Sequence, residues 1–135
     1  MSDWNNNIIG EFRANEGVVS GVFDGKPILL LHHKGAKTGT ARVNPLMYQR
    51  VDDAYAIFAS KAGADTNPDW FHNLKAHPEV TIEVGTDKID VRARVAKGDE
   101  HDTIWDRQKR DFPQFAEYEE KTSRDRIPVI VLEPA

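Results

Sequence analysis

A chain of 135 residues with a formal net charge of −4 and no cysteine is long enough for a real core, and it excludes disulfides and thiolate metal sites. The acidic balance also excludes a general nucleic-acid binder, which carries a basic excess, so local basic clusters point to a small anionic ligand instead. No apolar run approaches the roughly 20 residues of a membrane helix, and the polar start MSDWNNN lacks a signal-peptide pattern, so the expectation is a single cytoplasmic domain over 1–135.

Ser2 or Asp3 can cap a first helix running to about Asn15, with Trp4, Ile8, Ile9 and Phe12 on one apolar stripe and Gly17 ending it. Core packing is the default use of such a stripe. The polar face, with Asn5, Asn6, Glu11 and Arg13, is not strongly basic and leaves open only a weak peripheral membrane contact. The glycine-bearing segment 18–26 reads as a loop.

The next stretch, ILLLHHKGAKTGTARVNPLMY, dominates the reading. Its apolar run 28–31 follows Pro27 and reads as a buried strand; residues 41–48 read as a second strand. Between them Lys34, Lys37 and Arg42 bring positive charge, Thr38 and Thr40 bring hydroxyls, and Gly35 and Gly39 permit tight backbone turns. Such a loop can turn N–H groups and cations toward one anion; a charged surface hairpin is the competing reading. It is not a Walker loop, because the spacing differs and no helix follows. Pro45 within a strand removes a ladder donor and marks a bulge or an edge.

Residues 51–54 form a turn and 55–59 a third, antiparallel strand. In SKAGADTNPDW, Gly63 permits a sharp bend, Asn67 is placed to cap a helix, Pro68 takes its first position and Asp69 lies in its first turn. That helix, 68–76, has Trp70, Phe71 and Leu74 on its apolar side and ends at Lys75, His77 and Pro78. Its free N-terminal N–H groups make the preceding loop, with Ser60 and Lys61, a second candidate ligand contact. Residues 80–84 and 89–95 alternate as a hairpin, burying Val80, Ile82, Val84, Ile89, Val91, Ala93 and Val95 and leaving the other face wet and charged. A helix over 99–111 follows, with His101, Ile104, Trp105 and Gln108 at helical spacing. Pro113 opens a short helix bearing Phe112, Phe115 and Tyr118 on about one side. The charged run 118–126 reads as a solvated helix end, and 128–132 is the last strand. Mostly antiparallel strands with helical cover indicate an α+β fold or a partly opened barrel.

His32 and His33 are strand neighbours whose side chains point to opposite faces, so they do not share a metal, and no other ligand set has metal spacing.

Two strings, LLLHHKGAKTGTARVNPLMY and ASKAGADTNPDWFHNLKAHPEVTIEVG, with IIGEFRANEGVVSG before them, resemble the deazaflavin-dependent nitroreductase family. These are split antiparallel β-barrels of the flavin-reductase type with an N-terminal helix and covering helices, and they use the 8-hydroxy-5-deazaflavin coenzyme F420. The resemblance implies that Lys37, Thr38, Gly39 and Arg42 hold the cofactor's phosphate and polyglutamate tail. It places Pro45, Leu46 and Met47 against the ring, Ala59, Ser60, Lys61 and Gly63 around ring and phosphate, and Trp70 and Asn73 nearby. Where some members carry a substrate-facing tyrosine, this chain has Met47 followed by Tyr48. Phe112, Phe115 and Tyr118 fall where some members have tyrosines. Met47, Phe112, Phe115 and Tyr118 are thus the substrate candidates, and Ser60, Tyr48 and Tyr118 the catalytic ones. The implied reaction transfers a hydride to a planar conjugated acceptor: a quinone, an activated enone or a nitroaromatic. An FMN-binding split barrel and a non-catalytic deazaflavin carrier are the alternatives. Oligomeric state stays open.

Overall fold

The computed structural model describes residues 3–19 and 26–135, without the side chains of residues 3–5 and 62. The expected cap at Ser2 and most of the expected loop over 18–26 lie outside the described residues. Six strands close an antiparallel barrel in the order β1-β2-β3-β6-β5-β4. They are β1 (Ile28–Lys34), β2 (Ala41–Val51), β3 (Ala54–Phe58), β4 (Glu79–Val84), β5 (Asp87–Val95) and β6 (Val129–Pro134). Among the described residues four helices accompany them: α1 (Asp3–Ala14), α2 (Asp69–Ala76), α3 (Gly98–Asp111) and α4 (Gln114–Lys121). This is the α+β split barrel with an N-terminal helix and helical cover, and its element order is the one the residue pattern predicts.

Strand alternation divides the interior into two cores. Leu29, Leu31, Ile57, Ile82, Val91, Ile130 and Leu132, each no more than 1% exposed, belong to a cluster that Leu46 and Tyr48 of β2 also join. Every strand contributes to this set, so it fills the lumen. Trp70, Phe71 and Leu74 of α2 join it and close one end. The second core lies outside the barrel on β1, β2, β3 and β6. There Leu30, Met47, Ala56, Phe58, Val129 and Val131 pack under Ile8 and Phe12 of α1, Ile104 and Trp105 of α3, and Phe115 of α4. Ile8, Ile9 and Phe12 of the α1 stripe are therefore engaged on the barrel, and among the described residues no helix is long and apolar enough to cross a membrane.

The outer face of the β4–β5 hairpin is polar as expected, but one of its charged residues is buried rather than wet. Glu83 is only 8% exposed, because Arg13 of α1 and His32 of β1 converge on its carboxylate.

The feature that positions the site is a divergence along β2. β1 pairs with residues 41–47 of β2, whereas β3 pairs only with residues 48–51. Tyr48 N–H donates to Pro27 O at one end of the β1 ladder and Gly35 N–H to Thr40 O at the other. These bonds set the alternation, so even-numbered β2 residues bond β1 and odd-numbered ones face away. Val43 and Pro45 thus turn their main-chain groups toward an edge that no described strand occupies, while Met47 stands where the β3 ladder ends. The missing N–H of Pro45 costs no ladder bond there, which makes it the edge position expected of a strand proline.

Candidate active site

The β1–β2 tip is closed by Gly39 N–H to Gly35 O at 2.9 Å and by Thr40 N–H to Thr38 Oγ1 at 3.2 Å. Lys34, Lys37 and Arg42 are exposed on it, and none forms an ion pair with a described residue. The tip is anchored from beneath. Ala36 N–H donates to Asn73 Oδ1 at 2.8 Å, Asn73 Nδ2 donates to His33 Nδ1 at 3.0 Å, and His33 Nε2–H donates to Asn44 Oδ1 at 2.6 Å. Burial holds His33 below the usual imidazole range. The neutral ring with its proton on Nε2 is the form that accepts from one amide and donates to the other. Asn73 is therefore engaged at both ends of its amide and supports the tip. His33 is a site residue that the sequence reading passed over; its signal is a polar side chain on the same strand face as Leu29 and Leu31.

The second loop leaves β3 at Ala59 and reaches α2. It contains a 3₁₀ turn, Lys61–Gly63, in which Lys61 has φ +49° and Gly63 φ +82°. A Cβ on Gly63 would lie 3.1 Å from Lys121 carbons and from Tyr118 O, so the loop sits tightly on α4. Arg124 ties it from behind. Its guanidinium donates to Ala59 O at 2.8 Å, Ser60 O at 2.8 Å, Asn67 Oδ1 at 2.6 Å and Thr122 Oγ1 at 2.9 Å. Thr122 Oγ1 donates to Ala64 O at 2.7 Å, and Ser123 N–H donates to Asp65 Oδ1 at 2.8 Å, which holds that carboxyl below its ordinary range. The expected helix cap at Asn67 does not form. Arg124 takes its side-chain oxygen, and α2 starts one residue later with Pro68 as its cap.

Met47 and Tyr48 part company across the sheet. Met47 lies on the outer face in one cluster with Phe115, Phe112 and Tyr118. Tyr48 faces the lumen, where its ring meets Tyr55 edge-on at 5.4 Å and burial raises its phenol pKa. Phe115 packs on Phe58 and Trp105 with ring centroids 5.6 and 6.0 Å away, as a core residue. Phe112 and Tyr118 stay half-buried beside it. Trp70 is buried in the lumen core. No side-chain hydrogen bond to a described residue occupies Ser60. Among the described residues no group of His, Asp and Glu is placed to hold a metal.

Next to the hairpin base, α1 and the start of β4 enclose a cleft of about 600 Å³ whose lining includes Arg13, His32, Lys34 and Arg42. Glu83 receives Arg13 Nη2 at 2.7 Å and His32 Nε2 at 2.6 Å. Arg13 chiefly, with His32 helping, holds its carboxyl down to about 2.

Two rims therefore face one slot. On one, β2 presents the main-chain groups of Val43 and the carbonyl of Pro45. On the other, Ala59 N–H donates to Pro128 O of the chain leading into β6, which turns Ser60 N–H the other way, to the β2 side. Unpaired cations stand at the tip end. Flanking amides and free cations fit a flat heterocycle with an anionic tail.

The model for a family described as F420H(2)-dependent quinone reductase matches residues 5–134. An F420H(2)-dependent quinone reductase of Mycobacterium tuberculosis (strain H37Rv) is 39% identical over 125 residues, covering 90% of this chain and 83% of the relative. Among solved structures, an F420-H2 dependent reductase (FDR-A) superposes with a TM-score of 0.72 at 39% identity, covering 79% of this chain and 94% of that one. A chain described as a domain-swapped dimer superposes with a TM-score of 0.74 at 37% identity, covering 95% of this chain and 93% of that one. The match spans both strings that line the slot, and the chain belongs to the F420H(2)-dependent quinone reductase family, oxidoreductases whose cofactor is coenzyme F420.

Proposed function

We propose that this chain catalyses hydride transfer from reduced coenzyme F420 to a planar conjugated acceptor, a quinone first, with activated enones and nitroaromatics as further members of the class. The observation that carries the reading is the slot itself: an unpaired edge of β2 facing the Ser60 loop, with unpaired cations at one end. Lys37, Thr38, Gly39 and Arg42 would hold the phosphate and the tail carboxylates. Pro45 and Met47 would flank the ring from one side, with Leu46 fixing that stretch of β2 to β1 and the lumen core, and Ala59, Ser60, Lys61 and Gly63 from the other. Trp70 and Asn73, both buried, act from beneath, Asn73 by holding the tip. Bound in its reduced form, the coenzyme supplies the hydride, so the chain needs no nucleophile of its own. Its residues bind, orient and exclude water. Met47, Phe112 and Tyr118 form the apolar wall for the acceptor, with Phe115 supporting them from the core. Ser60 and Tyr118 would supply the hydroxyls that hold a proton for the reduced acceptor. Tyr48, on the lumen side, supports β2 from behind.

The test mixes purified protein with reduced F420 and menadione and follows the visible absorbance of oxidised cofactor. Oxidation above the protein-free control is expected, and binding without it would overturn catalysis. Arg42→Ala should weaken F420 binding roughly tenfold or more by titration calorimetry, the loss of a charge-assisted contact. Unchanged affinity would remove the tip from the cofactor site.

A further inference from the structure

We infer that Arg124, which lies outside both loops, is a positioning residue that sets the main chain of the Ser60–Lys61 rim for the cofactor; this deepens the reading proposed above and rests on it. One guanidinium holds two consecutive carbonyls, Ala59 O and Ser60 O, both at 2.8 Å. Each carbonyl shares a rigid peptide plane with the N–H of the next residue, directed oppositely. Drawing both oxygens to Arg124 therefore sends Ser60 N–H and Lys61 N–H away from it. The planar fork of arginine makes this possible; an ammonium on a flexible stem cannot fix two carbonyls and Asn67 at once.

The arrangement is costly without a brace. Lys61 sits at φ +49°, a conformation that a residue with a side chain adopts only when its surroundings impose it. The segment after α4 imposes it from several points: Arg124 on Ala59, Ser60 and Asn67, Thr122 on Ala64, and Ser123 on Asp65. The charge is not free to serve a ligand directly. All three nitrogens of the guanidinium are engaged, so Arg124 acts through Ser60 and Lys61.

The experiment compares Arg124→Lys, which keeps the charge and loses the fork, with Arg124→Gln, which loses both. Arg126→Lys, at an exposed neighbouring position, is the control. Hydrogen exchange of the cofactor-free proteins is read over peptides covering 59–67, and the F420 dissociation constant is measured by calorimetry. Both Arg124 variants should lose protection in 59–67 while the lumen strands β4 and β5 keep theirs. Both should bind F420 roughly tenfold more weakly, the loss of a pre-set rim, while the control does neither. Wild-type protection in Arg124→Lys would overturn the brace. Faster exchange with wild-type affinity would overturn its link to the cofactor. Weak binding in Arg124→Gln alone would show that charge, not position, matters. A wild-type chain that fails to bind F420 overturns the reading above and this inference together, an outcome distinct from all three.

Discussion

At the scale of single residues, Glu83 sits on the outward-facing side of β4, yet it is buried beneath Arg13 and His32. These partners lower its carboxyl from an ordinary 4.5 to about 2. A lowered folded-state pKa means that the unfolded chain takes up the proton first. The stabilisation is complete above pH 4.5 and disappears as pH falls toward 2. Arg13 is half-exposed, so water screens the pair and the contribution is about 1–2 kcal/mol. Glu83→Gln should lower the urea midpoint at neutral pH, and the gap to wild type should narrow between pH 4.5 and 2. A constant gap would mean that the carboxylate is held by shape rather than charge. What could be read at this scale followed one rule. Residues in local strings, such as Lys37, Arg42, Ser60 and Gly63, could be singled out from the sequence. Glu83 and Arg124 could not, because their partners lie 70 and 65 residues away, and His33 showed only its place on an apolar strand face, not its link to Asn73 40 residues on. The same distance explains Asn67: its local pattern is that of a helix cap, and a remote arginine outcompetes the helix for it.

At the scale of elements, alternation and helix punctuation gave the order and most boundaries. The errors lie where strands run on into polar sequence. β1 continues past His33, where a strand was expected, to Lys34, and β2 runs past Tyr48 to Val51, because partners on either side extend the ladders. The packing of loop on helix supplies the next expectation. Gly63→Ala combines a positive φ with a close approach to the α4 main chain, so it should cost about 1–3 kcal/mol and show as a lower melting temperature. Gly10→Ala, inside α1 with open space around it, should instead add about 0.5–1 kcal/mol. If both substitutions moved stability in the same direction, the distinction drawn between the two glycines would fail.

At the scale of the whole molecule, a net charge of −4 coexists with a tip of unpaired cations. An anionic cofactor is repelled by the body and attracted by the tip. Affinity should therefore fall several-fold as ionic strength rises from about 0.05 M to about 0.5 M, since the Debye length shrinks below the reach of exposed charges. Calorimetry across that range is the measurement, and a flat response would indicate that main-chain contacts dominate. Closure of the barrel was the part least visible beforehand: no local pattern states that β1 pairs with β4 or that β6 enters between β3 and β5.

That last insertion has a consequence for biosynthesis. β6 follows every other strand in the chain, yet its neighbours on both sides are made long before it. A nascent polypeptide on the ribosome therefore holds five strands that cannot form a ring, with the edges of β3 and β5 bare until the sixth emerges from the exit tunnel. That interval is when the unfinished sheet is open to capture by chaperones or by a neighbouring copy.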